Sequence, residues 1–270
     1  MSMYTKINLI GDTFLHQIES GLVCSTNNQK PKKVQFVTDG SGEKNLFVDS
    51  GIYEINKINN DLPSYAWLLE SKSIRPDLVE FFMKDTLSTI SKFRKIFTHN
   101  YELIQKDKKF EFIHPTGYWV DEKNLKEKTK LVSMIASSKK NTPMQKKRNR
   151  FANKMQHKID VFGEGRYEID SKEDGLSQYY FSYVFENDLT PDYFSEKILD
   201  CFAMKTIPIY FGTPTINKYF HEEGIICFKK HKLSSLSREL YYEKISFVNE
   251  NYKRVIDYKI PEDLILNKMT

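Results

Sequence analysis

The stretch 179–212, YYFSYVFENDLTPDYFSEKILDCFAMKTIPIYFG, reads as strand, helix and strand in turn. YYFSYVFEN is a continuous apolar run rich in aromatics, the composition of a strand buried on both faces. SEKILDCFAM follows as a helix with Ser195 as its cap, and TIPIYFG returns as a strand that stops at a glycine. Strands alternating with helices in this way specify a parallel sheet with helices outside it. The same pattern extends to either side. LVSMIAS (131–137) is a strand, 142–157 a helix with Pro143 in its first turn, and DVFGEG (160–165) a strand running into a glycine turn. GIICF (224–228) is a further strand, followed by a helical region from 234 to about 248.

The first part of the chain repeats this grammar. KINLI (6–10), KVQFV (33–37) and NLFVD (45–49) are β-rich runs bounded by turn residues, and SYAWLLES (64–71) is a buried strand. Pro76 opens a helix expected to reach Ser91, with Leu78, Phe81, Phe82, Leu87 and Ile90 on its core face. KIFTHN (95–100) is a strand and 101–105 a short helix. Residues 123–130 are polar and lack apolar periodicity, so they read as a linker. Two α/β domains are expected, 1–125 and 126–270, with the last helix free to pack back on the N-terminal domain. Between such halves, at the carboxyl ends of parallel strands, lies the cleft where this architecture binds a ligand.

Length agrees with two domains, since 270 residues at roughly 150 per domain gives about two. With 19 Phe and 16 Tyr the chain has ample apolar surface to bury, which excludes a disordered protein. Only 11 Gly and 9 Pro exclude a collagen-like or low-complexity one. Cys24, Cys201 and Cys227 have neither metal-site nor redox-motif spacing, so a reducing compartment is expected. No run approaches the ~20 apolar residues of a membrane span, and the N-terminus has no signal-peptide pattern, so the expected location is cytoplasmic.

The net charge of +5 is unevenly spread. Residues 123–158 hold twelve basic side chains against Glu127, a net +11, which leaves −6 on the other 234 residues. Such a segment faces a polyanion, a phosphate-bearing ligand or solvent. It has no interleaved aromatics and no helix-turn-helix, zinc-finger or RNA-recognition signature, so nucleic acid is not the expected partner.

The densest polar cluster at element ends is Phe185-Glu186-Asn187, then Tyr193, then Ser195-Glu196-Lys197. A helix N-terminus presents free N–H groups and partial positive charge, and attracts phosphate. Lys197 adds a full charge where lysine is otherwise misplaced, and a carboxylate such as Glu196 can accept two hydrogen bonds from a vicinal diol. The plain alternative is a capped helix with glutamate in its favoured place. GEGR (163–166) is a phosphate loop or simply a turn, and Trp119 of GYW stacks on a ring or packs in the core.

The run FENDLTPDYFSEKILDCFAMKTIPIYFGTPTI (185–216) resembles the donor-binding motif of the family 10 α-1,3/4-fucosyltransferases. There, Phe-Glu-Asn is followed by Tyr, by Thr/Ser-Glu-Lys, and by a helix and strand ending in an aromatic-Gly-Ser/Thr-Pro. RNRF (148–151) and IDVFGEG (159–165) are similar to the arginine helix and the strand after it, and the resemblance spans about 131–228.

This resemblance implies a GT-B type α/β fold, with two Rossmann-like domains facing a central cleft. It implies an inverting transfer of fucose from GDP-fucose to a hydroxyl of an oligosaccharide or glycan acceptor, with no obligatory metal and no further cofactor. Arg148 and Lys197 would neutralise the diphosphate leaving group, while Asn187, Tyr193 and Glu196 would position the nucleotide. Absence of an Asp-x-Asp triplet fits that reading. An inverting transfer needs a base on the acceptor side. Glu70, in AWLLESKSIRP, is similar to the glutamate of the family's Glu-Ser-Pro motif, with Lys72 in place of the proline; His99 is the rival. A same-fold enzyme using another GDP-sugar and a non-catalytic glycan-binding or nucleic-acid-binding protein are the alternatives.

Overall fold

The computed structural model describes residues 4–11, 26, 29–85, 87–114 and 116–269. The chain forms two compact units, Met1–Gly117 with Lys259–Thr270, and Tyr118–Tyr258.

In the first unit six strands lie in the order β2-β1-β3-β4-β5-β6, every neighbouring pair parallel. They are β1 (Thr5–Ile10), β2 (Val34–Val37), β3 (Lys44–Val48), β4 (Ser64–Trp67), β5 (Ile96–Thr98) and β6 (Phe110–Phe112). Alternation along β3 and β4 sorts the apolar side chains onto two faces. Phe47 and Ala66 pack with Leu78, Phe82 and Phe93 on one face, while Leu46, Val48, Tyr65 and Trp67 pack with Ile265 and Met269 on the other. Sequence periodicity had no claim on β6, which is three residues long and half-buried beyond Phe110.

Helix α1 (Pro76–Lys84) stops seven residues short of the expected Ser91. Asp85 is extended, with φ −65° and ψ 130°, and its carboxylate accepts the backbone N–H groups of Thr89 and Ile90. A side chain that captures amides in this way competes with helix continuation. Helix α2 (Tyr101–Lys106) is capped by Asn100, whose side chain accepts from the Leu103 N–H.

In the second unit five strands lie in the order β11-β10-β9-β7-β8, again all parallel. In chain order the elements are β7 (Lys130–Ile135), α3 (Pro143–Met155), β8 (Asp160–Phe162), β9 (Tyr179–Phe185), α4 (Glu196–Ala203), β10 (Ile207–Phe211) and β11 (Ile226–Cys227), then α5 (Arg238–Glu243) and α6 (Ile245–Ile256). All seven residues of β9 are buried, as its unbroken apolar run requires. Phe181, Tyr183 and Phe185 join the core beneath α3, and Val184 faces the core built on α4.

Residues 123–130, expected as a linker, lie inside the second unit. Lys128 donates from Nζ to the carbonyls of Leu176 and Met204 and to Thr206 Oγ1, and burial pushes its pKa down to about 7. Helix α7 (Pro261–Lys268) belongs to the first unit, where Asp263 accepts the Lys32 N–H and the Met269 carbonyl accepts Lys44 Nζ. Cys201 is buried and Cys227 exposed, both as free thiols; Cys24 lies outside the described residues. Among the described residues no helix is long and apolar enough to cross a membrane.

Candidate functional site

The site begins where β9 ends. Glu186 follows Phe185 directly and is 1% exposed. Its Oε1 accepts the backbone N–H of Ser195 at 3.1 Å, and its Oε2 accepts the Ser195 hydroxyl at 2.6 Å. Ser195, extended at φ −124°, is the N-cap of α4, and its Oγ accepts the Lys197 ammonium at 2.9 Å and the Lys197 N–H at 3.5 Å. Lys197 Nζ also stands 3.9 Å from Glu186 and 3.4 Å from Glu196. A buried carboxylate thus ties the end of the central strand to the first turn of α4 and holds an ammonium above it. Burial raises the Glu186 carboxyl despite Lys197 and Ser195.

Close approach is built in. A Cβ on Gly212, at the end of β10, would lie 2.1 Å from the Tyr210 hydroxyl and 2.7 Å from Glu186 Cγ, so only glycine leaves room for the carboxylate.

Glu196 opens α4. Burial would raise its carboxyl, but Lys197 and Lys172 outweigh burial and hold it down at about 2. Lys172 Nζ binds Asp200 Oδ2 at 2.8 Å and Glu196 Oε1 at 3.4 Å, and lies 4.6 Å from the centre of the Trp119 ring. Asp200 is buried, and its other oxygen accepts the Trp119 N–H at 2.6 Å. Trp119 therefore carries a cation on its face, while its backbone is anchored by α4.

The loop from Asp188 to Phe194 is fastened to the Thr213-Pro214-Thr215 segment. Asp192, with φ 61°, donates its N–H to Thr213 and Thr215 hydroxyls at 2.9 and 2.8 Å, and its carboxylate accepts the Thr215 hydroxyl at 2.7 Å and Lys218 Nζ at 3.2 Å. Tyr193 is buried next to this clasp. Asn187 is half-buried, and its carboxamide meets no hydrogen-bonding partner among the described residues.

Arg148 projects from α3, whose N-terminus is closed by a reciprocal Thr142/Gln145 capping box. It is 4% exposed; its Nη2 donates to the Ser137 carbonyl, the Ser137 hydroxyl and the Lys139 carbonyl, while its Nε–H is buried without an acceptor. Burial and the neighbouring Arg166 lower its pKa, and the charge of Glu196 acts the other way. The electrostatic coupling puts Arg148 in one field with the α4 N-terminus.

Asn187, Tyr193, Glu196, Lys197 and Arg148 all belong to the second unit; Glu70 and His99 belong to the first. Glu70 lies three residues beyond the end of β4, which stops at Trp67 and not at Ser71 as expected, and is exposed. Neither does it cap the helix that follows, whose N-cap is Arg75. The N–H groups of Leu69 and Glu70 donate to Asp49 Oδ1 at 2.9 and 3.4 Å. Asp49, with φ 44° just after β3, is buried; that burial, with the Glu70 charge, pushes its carboxyl up to about 7 against the pull of Arg75. His99 is buried at the end of β5.

Sequence reasoning named Glu186 within the polar cluster but gave it no role, and passed over Lys172, Asp200 and Asp49 as site-builders. For Glu186 a signal existed: an acid directly continuing a fully apolar strand, with a capping serine nine residues on. Lys172 lies in a polar stretch without periodicity and carried none.

The chain matches the family described as glycosyltransferase family 10 (fucosyltransferase), C-terminal part, over residues 125–259. It is 33% identical over 85 residues to an alpha-(1,3)-fucosyltransferase, FucT, of Helicobacter pylori; the matched stretch is 32% of this chain and spans only 17% of that protein's length. Among solved structures, it superposes on an alpha1,3-fucosyltransferase with a TM-score of 0.54 at 15% identity, covering 98% of this chain and 87% of the other. On an alpha1,3-fucosyltransferase crystallised with GDP-fucose the TM-score is 0.51 at 16% identity, over 96% and 82% of the two chains. These likenesses show the fold, which is α/β of the GT-B type. With half of its residues matched to the family, the chain belongs to glycosyltransferase family 10, the fucosyltransferases.

Proposed function

We propose that this protein transfers fucose from GDP-fucose to a hydroxyl of a glycan acceptor, with inversion and without an obligatory metal. The observation that carries the reading is the Glu186–Ser195–Lys197 linkage, which fixes an ammonium over the N-terminus of α4. Fucosyl transfer leaves GDP with a developing negative charge on its diphosphate. Preorganised cations and N–H dipoles stabilise such charge without reorganising, usually the largest catalytic contribution. Lys197 supplies one cation, Arg148 another with an uncommitted buried N–H, and the α4 N-terminus adds its dipole. These groups supply the stabilisation that a divalent metal supplies elsewhere.

Glu196 remains ionised at any working pH and can accept the two hydroxyls of a ribose. The open carboxamide of Asn187 and the ring of Tyr193 complete the nucleotide contacts. On the acceptor side Glu70 or His99 takes the proton of the attacking hydroxyl. The chain's cysteine usage supports a reducing compartment such as the cytoplasm. Incubation with GDP-fucose, with and without a glycan array, tests the reading: acceptor-dependent GDP release that survives EDTA is expected. Binding of UDP-sugars in place of GDP-sugars would overturn it, and turnover of a different GDP-sugar would replace fucose as the group transferred.

A further inference from the structure

Gly163 and Gly165 both have positive φ, 123° and 74°, and a Cβ on Gly163 would stand 2.4 Å from the Ala136 carbonyl. This tight turn after β8, closed by the Arg166 N–H to the Gly163 carbonyl at 2.9 Å, folds Arg166 back over the end of β7. Its Nη1 donates to the Ala136 carbonyl at 3.1 Å, and its Nη2 reaches α3 at Asn149 Oδ1, 2.9 Å, and Asn153 Oδ1, 3.0 Å. Arg148 binds the next carbonyl along, that of Ser137. A polar relay joins the two: Arg166 donates to Asn149, Asn149 donates to the Lys139 carbonyl at 2.9 Å, and Arg148 donates to that same carbonyl.

The two guanidiniums therefore belong to one hydrogen-bonded network, in which the charge of Arg166 acts against that of Arg148. Every acceptor that holds either of them is a neutral oxygen. Each also has a buried Nε–H with no acceptor. Like charges, partly desolvated and bonded only to neutral oxygens, are costly unless an anion completes the arrangement; Glu196 acts on Arg148 through its charge and not through a bond. The exposed lysines 139, 140, 146 and 147 around them deepen the positive potential.

The geometry points to Arg166 as a second cation of the donor diphosphate site, paired with Arg148 through Asn149 and the Lys139 carbonyl. The inference rests on the GDP-sugar reading above and extends it: the leaving group meets a twin guanidinium set, not one arginine. Arg166 acts as a positioning residue for Arg148 and as a source of charge.

Calorimetric binding of GDP, GMP and inorganic pyrophosphate across a salt series tests this. Arg166→Gln is expected to weaken GDP and pyrophosphate about 10- to 100-fold, to weaken GMP less, and to lower the salt slope by about one. Arg166→Lys, which keeps the charge and loses the fork, should recover part of the affinity and all of the slope. Asn153→Ala releases the contact to α3 while keeping both arginines, and should leave GDP binding within about twofold. Unchanged GDP and pyrophosphate affinity in Arg166→Gln would overturn the inference while leaving the function intact. Equal losses in Asn153→Ala and Arg166→Gln would also overturn it, since Arg166 would then be only a clamp. If the wild-type protein binds neither GDP nor pyrophosphate, the functional reading itself fails and takes this inference with it.

Discussion

Glu186 and Ser195 form a double hydrogen bond, the carboxylate taking the serine N–H at 3.1 Å and its hydroxyl at 2.6 Å, with neither group open to solvent. This contact is the hinge pin between β9 and α4. Substituting Glu186→Ala leaves the two Ser195 donors without their acceptor and takes one of two neighbouring carboxylates from the Lys197 ammonium, so unfolding free energy should fall by roughly 2–4 kcal/mol. Urea denaturation measures it, and an unchanged midpoint would deny the contact its structural weight.

Lys197→Ala should retain the fold, because the ammonium is partly exposed at the surface of α4, yet turnover should drop about 10²- to 10³-fold. Circular dichroism alongside GDP-release kinetics separates the two effects. Full activity in this variant removes Lys197 from the donor site.

Gly212→Ala forces a methyl into the space of the Tyr210 hydroxyl and Glu186 Cγ. Overpacking of this kind costs about 1–3 kcal/mol. Since the strain falls on Glu186, GDP affinity should weaken together with stability; thermal melts with and without GDP would show both.

Asp49 sets a pH dependence. Its carboxyl, raised from 3.8 to about 7, keeps its proton longer in the folded state than in the unfolded one. Its stabilising contribution is therefore complete below about pH 4 and is lost as pH rises through 7, amounting to roughly 4 kcal/mol. Asn tolerates the positive φ and can accept the same N–H groups, so Asp49→Asn should remove this pH dependence and be the more stable protein at pH 8. Denaturation of both proteins from pH 4 to 8 checks the sign; parallel curves refute it.

Long apolar runs were the legible part of the chain. β9 and β10 are buried throughout, so the strand–helix–strand core of the second unit followed from composition alone. Local polar competition was less visible: Asp85 ends α1 by capturing amides, though the apolar period continues to Ile90. Buried charge was the hardest to see. Lys128 looks like linker in sequence and is held by three oxygens brought from distant positions. Glu186 and Lys172 follow the same rule, since a charge is recognised as internal only when its partners are known. Asn187, Tyr193, Glu196 and Lys197 stood out because they cluster within eleven residues, whereas Arg166 meets Arg148 only through the fold.

Return of Lys259–Thr270 to the first unit has a consequence for biosynthesis. Ile265 and Met269 complete a core whose other members, among them Ile7, Leu46 and Trp67, leave the ribosome roughly 200 to 260 residues earlier. The second unit is contiguous and can close as soon as Tyr258 has emerged. The order of maturation thus departs from the order of translation: the strands of the first unit keep one face of their sheet incompletely covered until the segment beyond the second unit has been made.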